Sequence, residues 1–114
     1  MKDNLDTEVL RIYGFGSYFK GAKEFNDIDF LIIHETTTKN SCQAALECKY
    51  LILNILNEAH ISILSIKEEK SVEFIKKSSA RLLGEVYAKN MKTELVQILD
   101  NTIRNKCLVS PTYL

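Results

Sequence analysis

The residues best able to do chemistry in this chain are Gly16-Ser17 and, after residues 18–26, the pair Asp27 and Asp29. On an extended strand, side chains two apart share a face with their Cα atoms about 7 Å apart. At an effective dielectric near 20, two ionised carboxylates at that spacing repel by about 2 kcal/mol. Ile28 and the run Phe30-Leu31-Ile32-Ile33 surround them with apolar neighbours, so a bound divalent cation would offset a real cost. Carboxylate oxygens suit Mg²⁺, which takes one or two of them and fills its octahedron with water and substrate phosphates. Gly16-Ser17 is the complementary half, because a glycine turn lets backbone N–H groups and a serine hydroxyl approach phosphate oxygens. The spacing predicts Asp27 and Asp29 as metal ligands and catalytic residues, with Gly16 and Ser17 binding a nucleotide's phosphates. Each half alone is ordinary turn or strand-edge chemistry; the combination is specific.

The surrounding pattern predicts the elements that hold these residues. Residues 9–15 read as a strand running into the Gly16-Ser17 turn, and residues 28–33 as a second strand, apolar enough to be covered on both faces. From Asn40 to about Ala59, the residues Ala45, Cys48, Ile52, Ile55, Leu56 and Ala59 recur at helical spacing, with Asn40 or Ser41 as cap and Gln43 placed as in a capping box. Residues 61–66 read as a third strand. A short helix is expected from Ser71, with Glu73 near its positive end. A last helix over residues 91–105 carries Met91, Leu95, Ile98, Leu99 and Ile103 on one face, expected to be core or a subunit contact. The fold class is α/β or α+β, a small mixed sheet with helices packed on it. No linker or repeat divides the chain, so residues 1–114 are expected to be one domain, its core at about 9–88 and its C-terminal helix at about 90–106.

Gly16, Ser17, Asp27 and Asp29, with Phe19-x-Gly21 between them and the apolar strand after them, resemble the signature of the minimal nucleotidyltransferases of the DNA polymerase β-like superfamily. The likeness extends loosely from residue 9 to about 88 and includes the stretch from Arg81 to Tyr87. It implies transfer of a nucleoside monophosphate from ATP or a related triphosphate to an acceptor hydroxyl. In that scheme Asp27 and Asp29 hold Mg²⁺ and Gly16-Ser17 holds the triphosphate. Small proteins of this kind resemble one half of bacterial toxin–antitoxin pairs, in which the nucleotidyltransferase modifies or neutralises a separate helical protein.

Three departures bear on that expectation. The loop over residues 18–26 is one residue shorter than the commoner spacing, which a loop tolerates. Only a short segment precedes the first strand. The position of the family's third carboxylate aligns with Ser62, with Ser65 at the next polar position, and a serine hydroxyl cannot serve as a metal-bridging base at neutral pH. Two readings therefore stay open: an enzyme, or an antitoxin-like degenerate module that binds a nucleotide or a partner without chemistry. Glu68, Glu69 or Glu73 would supply the missing acid if the strand register differs. An enzyme acting on a small-molecule hydroxyl is a third reading, disfavoured because the chain has no room for a substrate domain.

Composition narrows the partners. Fifteen basic residues balance fifteen acidic ones, so no global positive field draws nucleic acid and any phosphate binding must be local. Cys42, Cys48 and Cys107 form no C-x-x-C pair, signalling neither a disulfide framework nor a zinc site. Acids near the N-terminus and the lack of a long apolar run predict no signal peptide and no membrane span, hence a cytoplasmic protein. His34 reads as a surface or helix-start residue, His60 as structural, and Lys20 and Lys23 as solvated loop charges. The apolar last helix and the short N-terminal segment predict self-association or a partner protein.

Overall fold

Two apolar runs become the central strands of one four-stranded sheet. In the computed structural model, residues 5–22 and 27–106 are described, the side chains of residues 5 and 103–106 excepted. Strands β1 (Val9–Phe15) and β2 (Ile28–His34) pair antiparallel, with Leu10 opposite His34 and Phe15 opposite Asp29. Strand β3 (Ala59–Ser65) runs parallel along the other side of β2, and β4 (Arg81–Tyr87) antiparallel along β1. The order β3-β2-β1-β4 makes the sheet mixed, as expected.

Among the described residues, five α-helices lie between and after these strands: α1 (Gly16–Phe19), α2 (Lys39–Ile55), α3 (Ile66–Val72), α4 (Phe74–Ser78) and α5 (Met91–Lys106). Leu10, Ile12, Phe30 and Ile32 meet Cys48 and Ile52 of α2 and Leu95 and Leu99 of α5 in the main core. There, burial pushes the Cys48 thiol up to about 12. Leu31 and Ile33 alternate onto the other face and are also buried, on the side where α3 packs against β3 and β2. Coverage of both faces is what the apolar run of β2 requires. Among the described residues, no helix is long and apolar enough to cross a membrane. Cys107 and Lys23 lie outside the described residues, as does the side chain of Ile103.

Several boundaries differ from the sequence expectation for local reasons. The cap of α2 is Thr38, whose Oγ1 accepts from the Ser41 N–H at 3.2 Å, in place of Asn40 or Ser41. Ser41 is buried and ties the preceding loop instead: its Oγ accepts from the Thr36 N–H at 3.0 Å and shares a 3.0 Å hydrogen bond with His34 Nδ1. Helix α2 stops at Ile55, so Leu56 and Ala59 lie beyond it, and Ala59 opens β3.

The helix expected from Ser71 begins earlier, because Ser65 and Glu68 form a capping box that ends β3 and starts α3. The Glu68 N–H donates to Ser65 Oγ at 3.1 Å and the Ser65 N–H to Glu68 Oε1 at 2.9 Å. Glu73 is the left-handed residue between α3 and α4, not a first-turn acid. Strand β4 went unread by periodicity because Arg81 and Leu82 are exposed and a register shift lies beside Ile12 and Tyr13.

The capping box yields a stability prediction. Ser65→Ala should destabilise the fold by about 1 kcal/mol, the usual worth of an N-cap. Hydrogen bonds from Ser65 hold the Glu68 carboxyl below its ordinary range. A depressed folded-state value contributes stability above the unfolded value, and that contribution is lost as pH falls through the folded value. The Ser65 N–H that donates to this carboxylate survives in Ser65→Ala, so the acid-sensitive part is read in Glu68→Gln. Urea melts from pH 7 down to pH 3 should show the Glu68→Gln deficit shrinking with acid more than that of Ser65→Ala; a Glu68→Gln deficit that stays constant with pH would mean that the carboxylate charge contributes nothing.

Candidate active site

Strand pairing brings the glycine turn onto the acid. Since Phe15 pairs with Asp29, the chain leaving β1 turns at Gly16 beside the start of β2. Gly16 has φ +82°, a conformation glycine adopts without steric penalty. A Cβ on Gly16 would fall on Oδ2 of Asp29, so the turn and the carboxylate are in direct contact. Gly14 has another role: a Cβ there would meet the Phe19 ring at 2.5 Å. Phe19 folds back over that bare position and stacks edge-on against Phe30, ring centroids 5.7 Å apart, anchoring α1 to the sheet.

Asp29 is held on its other side as well. Its Oδ1 lies 3.3 Å from Nδ1 of His60, the residue directly opposite on β3, and the side chains are 22% and 69% exposed. Asp27 is exposed and precedes β2, so only Asp29 sits within the strand. This corrects the expectation of two acids inside β2; water around Asp27 screens their repulsion well below the value for a buried pair. The start of β2 is pinned instead by the Ile28 N–H donating to the Glu58 carbonyl at 3.3 Å. Ser17 is exposed in α1, one residue past the turn.

Other expected residues fall where register and capping put them. Ser62 lies opposite Leu31, on the face shared by Asp29 and His60, but the residue across from Asp29 is His60. His60 is therefore at the site, against the structural role read from the sequence. The signal was present, since His60 and Ser62 alternate with Ile61 and Ile63, yet alternation alone does not fix which residue faces Asp29. Glu68 is committed to the α3 cap, and Oε2 of Glu69 accepts from the Ile75 N–H at 2.6 Å. Both follow the end of β3 marked by the pair His34 and Ser65, the opposite end from Asp29, so they do not replace a missing acid there. His34 is buried and bonded to Ser41 rather than on the surface. Lys20 is exposed, as expected. A cavity of about 210 Å³ between Arg11, Ile33, Ile66 and Tyr87 includes neither Asp29 nor Gly16. Among the described residues, no three His, Cys, Asp or Glu side chains converge into a metal-holding cluster.

The mixed sheet carries a glycine turn pressed on a strand aspartate, and a family model described as a nucleotidyltransferase domain matches residues 1–99 of the 114. The chain belongs to the nucleotidyltransferase domain family. No curated protein and no solved structure gives a significant match. This nucleotidyltransferase domain thus keeps the turn and the strand acid in contact and presents a histidine, not a carboxylate, across from that acid.

Proposed function

We propose that this domain transfers a nucleoside monophosphate from a nucleoside triphosphate to an acceptor hydroxyl, with Gly16-Ser17 receiving the phosphates and Asp27 and Asp29 facing them. The contact between Gly16 and the Asp29 carboxylate supports this reading most, because it makes phosphate turn and acid a single unit. The residues fit Mg²⁺ of one kind: with two carboxylates near the turn and, among the described residues, no third acid converging with them, the ion is one that arrives with its triphosphate. When bound, it supplies charge neutralisation at the phosphates and acidifies the acceptor hydroxyl.

The chain's own residues do the positioning. Gly16 allows close backbone approach, and the exposed Ser17 hydroxyl is free of bulk that would bar a phosphate oxygen. In the reaction the acceptor oxygen bonds to the α-phosphorus and the bond from that phosphorus to the bridging oxygen breaks. Pyrophosphate leaves with the electron pair, and the hydroxyl proton passes to water. ATP is the triphosphate favoured by the family resemblance, and a separate protein is the favoured acceptor.

The absence of a converging third acid among the described residues favours a second reading, a binding module with little turnover. Ser62→Asp separates the two, since it adds an acid on the face of Asp29. Position-matched acid–base help is typically worth 10² to 10⁴ in rate, so transfer should rise by about 10²-fold in the variant while triphosphate affinity changes little. Triphosphate binding with no transfer in either protein would select the module.

A further inference from the structure

We infer that the cavity between Arg11, Ile33, Ile66 and Tyr87 binds an arginine side chain of the partner protein, a role that rests on the reading of a separate protein as acceptor. The pocket lies on the sheet face that carries Asp29, at the other end of β2. An arginine seated there fixes the partner over the face on which the triphosphate is bound.

The sheet builds this pocket. Arg11 stands opposite Ile33 on one side and Glu85 on the other, and Val9 stands opposite Tyr87. Cross-strand partners share a face, and Asp29, Leu31 and Ile33 alternate onto that same face of β2. Four residues separate Asp29 from Ile33, about 13 Å of strand. Ile66, the first residue of α3, and Glu35, exposed just past the end of β2, complete the lining.

Its chemistry selects a cation on an apolar stem. The lining holds two carboxylates, Glu35 and Glu85, against one guanidinium. Arg11 Nε is 3.4 Å from Glu85 Oε2, whereas Glu35 has no ion-pair or hydrogen-bond partner among the described residues. One negative charge is thus left uncompensated. Ile33 is buried and Val9 and Ile66 are half-buried, which gives methylene groups an apolar floor. Tyr87 is 46% exposed, and arginine is the cation that both stacks on an aromatic ring and pairs with a carboxylate through two N–H groups. The volume, about 210 Å³, is below the roughly 300–1,000 Å³ of sites for drug-sized ligands. It suits one side chain, and arginine is enriched among the side chains that dominate protein interfaces.

The test titrates a blocked arginine, N-acetylarginine N-methylamide, into the full chain and follows backbone amide shifts by NMR. Shifts are expected at Arg11, Ile33 and Tyr87 and not at Gly16 or Asp29. Affinity should fall at least fivefold in Glu35→Gln, and equally for blocked citrulline, which keeps the shape without the charge. No saturating shift at those three residues, or equal binding of the arginine and citrulline probes, would overturn the inference. Shifts that grow with protein concentration before any probe is added would make the occupant a second copy of this chain and overturn it too. In a cell extract with α-labelled ATP, Glu35→Lys should cut labelling of protein at least tenfold while keeping its melting shift with ATP and Mg²⁺. Full labelling by Glu35→Lys would mean that the pocket takes a free guanidine in place of a partner, again overturning the inference. Wild-type protein that binds the blocked arginine as expected but labels nothing would retain the arginine pocket and overturn the transfer reading instead.

Discussion

Asp29→Asn is expected to leave the unliganded fold intact, to remove stabilisation by triphosphate, and to cut nucleotidyl transfer by more than about 10²-fold. Asparagine keeps the size of the side chain, and the ion pair lost among the described residues is with the exposed His60, a class worth about 0–1 kcal/mol. The functional loss should be larger, because removing groups that merely orient a metal ligand already costs roughly 10- to 100-fold. For the wild type, triphosphate at about 100 times its Kd stabilises the folded state by about 2.7 kcal/mol. For a chain of this size that raises Tm by roughly 10 °C. Thermal melts of both proteins with and without ATP and Mg²⁺ check the prediction. A full shift in Asp29→Asn would show that the carboxylate does not hold the nucleotide-bound ion.

Gly16→Ala should harm both stability and function, and Gly21→Ala separates the causes. Both glycines have positive φ, +82° at Gly16 and +88° at Gly21. An L-residue there costs roughly 1–2 kcal/mol. A Cβ at Gly21 meets nothing within 4 Å, whereas one at Gly16 falls on the Asp29 carboxylate. Gly21→Ala is thus expected to lose only the backbone term and keep its triphosphate shift. Gly16→Ala should lose stability beyond that and also lose the shift, since Asp29 must move. Urea unfolding gives the stabilities and the same melts give the binding. Equal binding by the two variants would mean that the Gly16–Asp29 contact has no functional role.

The parts of the fold legible in the sequence are those with strong local signals. The β1 and β2 runs are dense in apolar residues, β1 ends at a glycine turn, and the faces of α2 and α5 recur at helical spacing, so these elements stand close to where periodicity puts them. The start of α3 was also written locally, in Ser65-x-x-Glu68, but it competes with an apolar alternation that prolongs β3 by one residue. Strand β4 carries its information elsewhere. A Cβ at Gly84 would meet Ile98 at 2.8 Å, so the glycine is there for close approach of α5, a contact no local pattern reveals.

The site divides along the same line. Gly16 and Asp29 were readable as residue types at a spacing, but their contact follows from the pairing of Phe15 with Asp29. His60 was missed because the parallel register of β3 is set by the course of α2 and the turn after it. One residue's difference in that register would turn the opposite face of β3 toward Asp29.

The account turns on where the phosphorus goes, so the most direct measurement follows label from the α and γ positions of the triphosphate separately. Wild-type protein is incubated with α-labelled or γ-labelled ATP and a divalent cation, with an extract of the producing cells as the source of acceptor. Covalent label is then counted in acid-stable product, with Asp29→Asn run in parallel. The account predicts incorporation from the α position only, pyrophosphate released in equal amount, and neither in Asp29→Asn. Incorporation from the γ position, or equal α-labelling by Asp29→Asn, would contradict it.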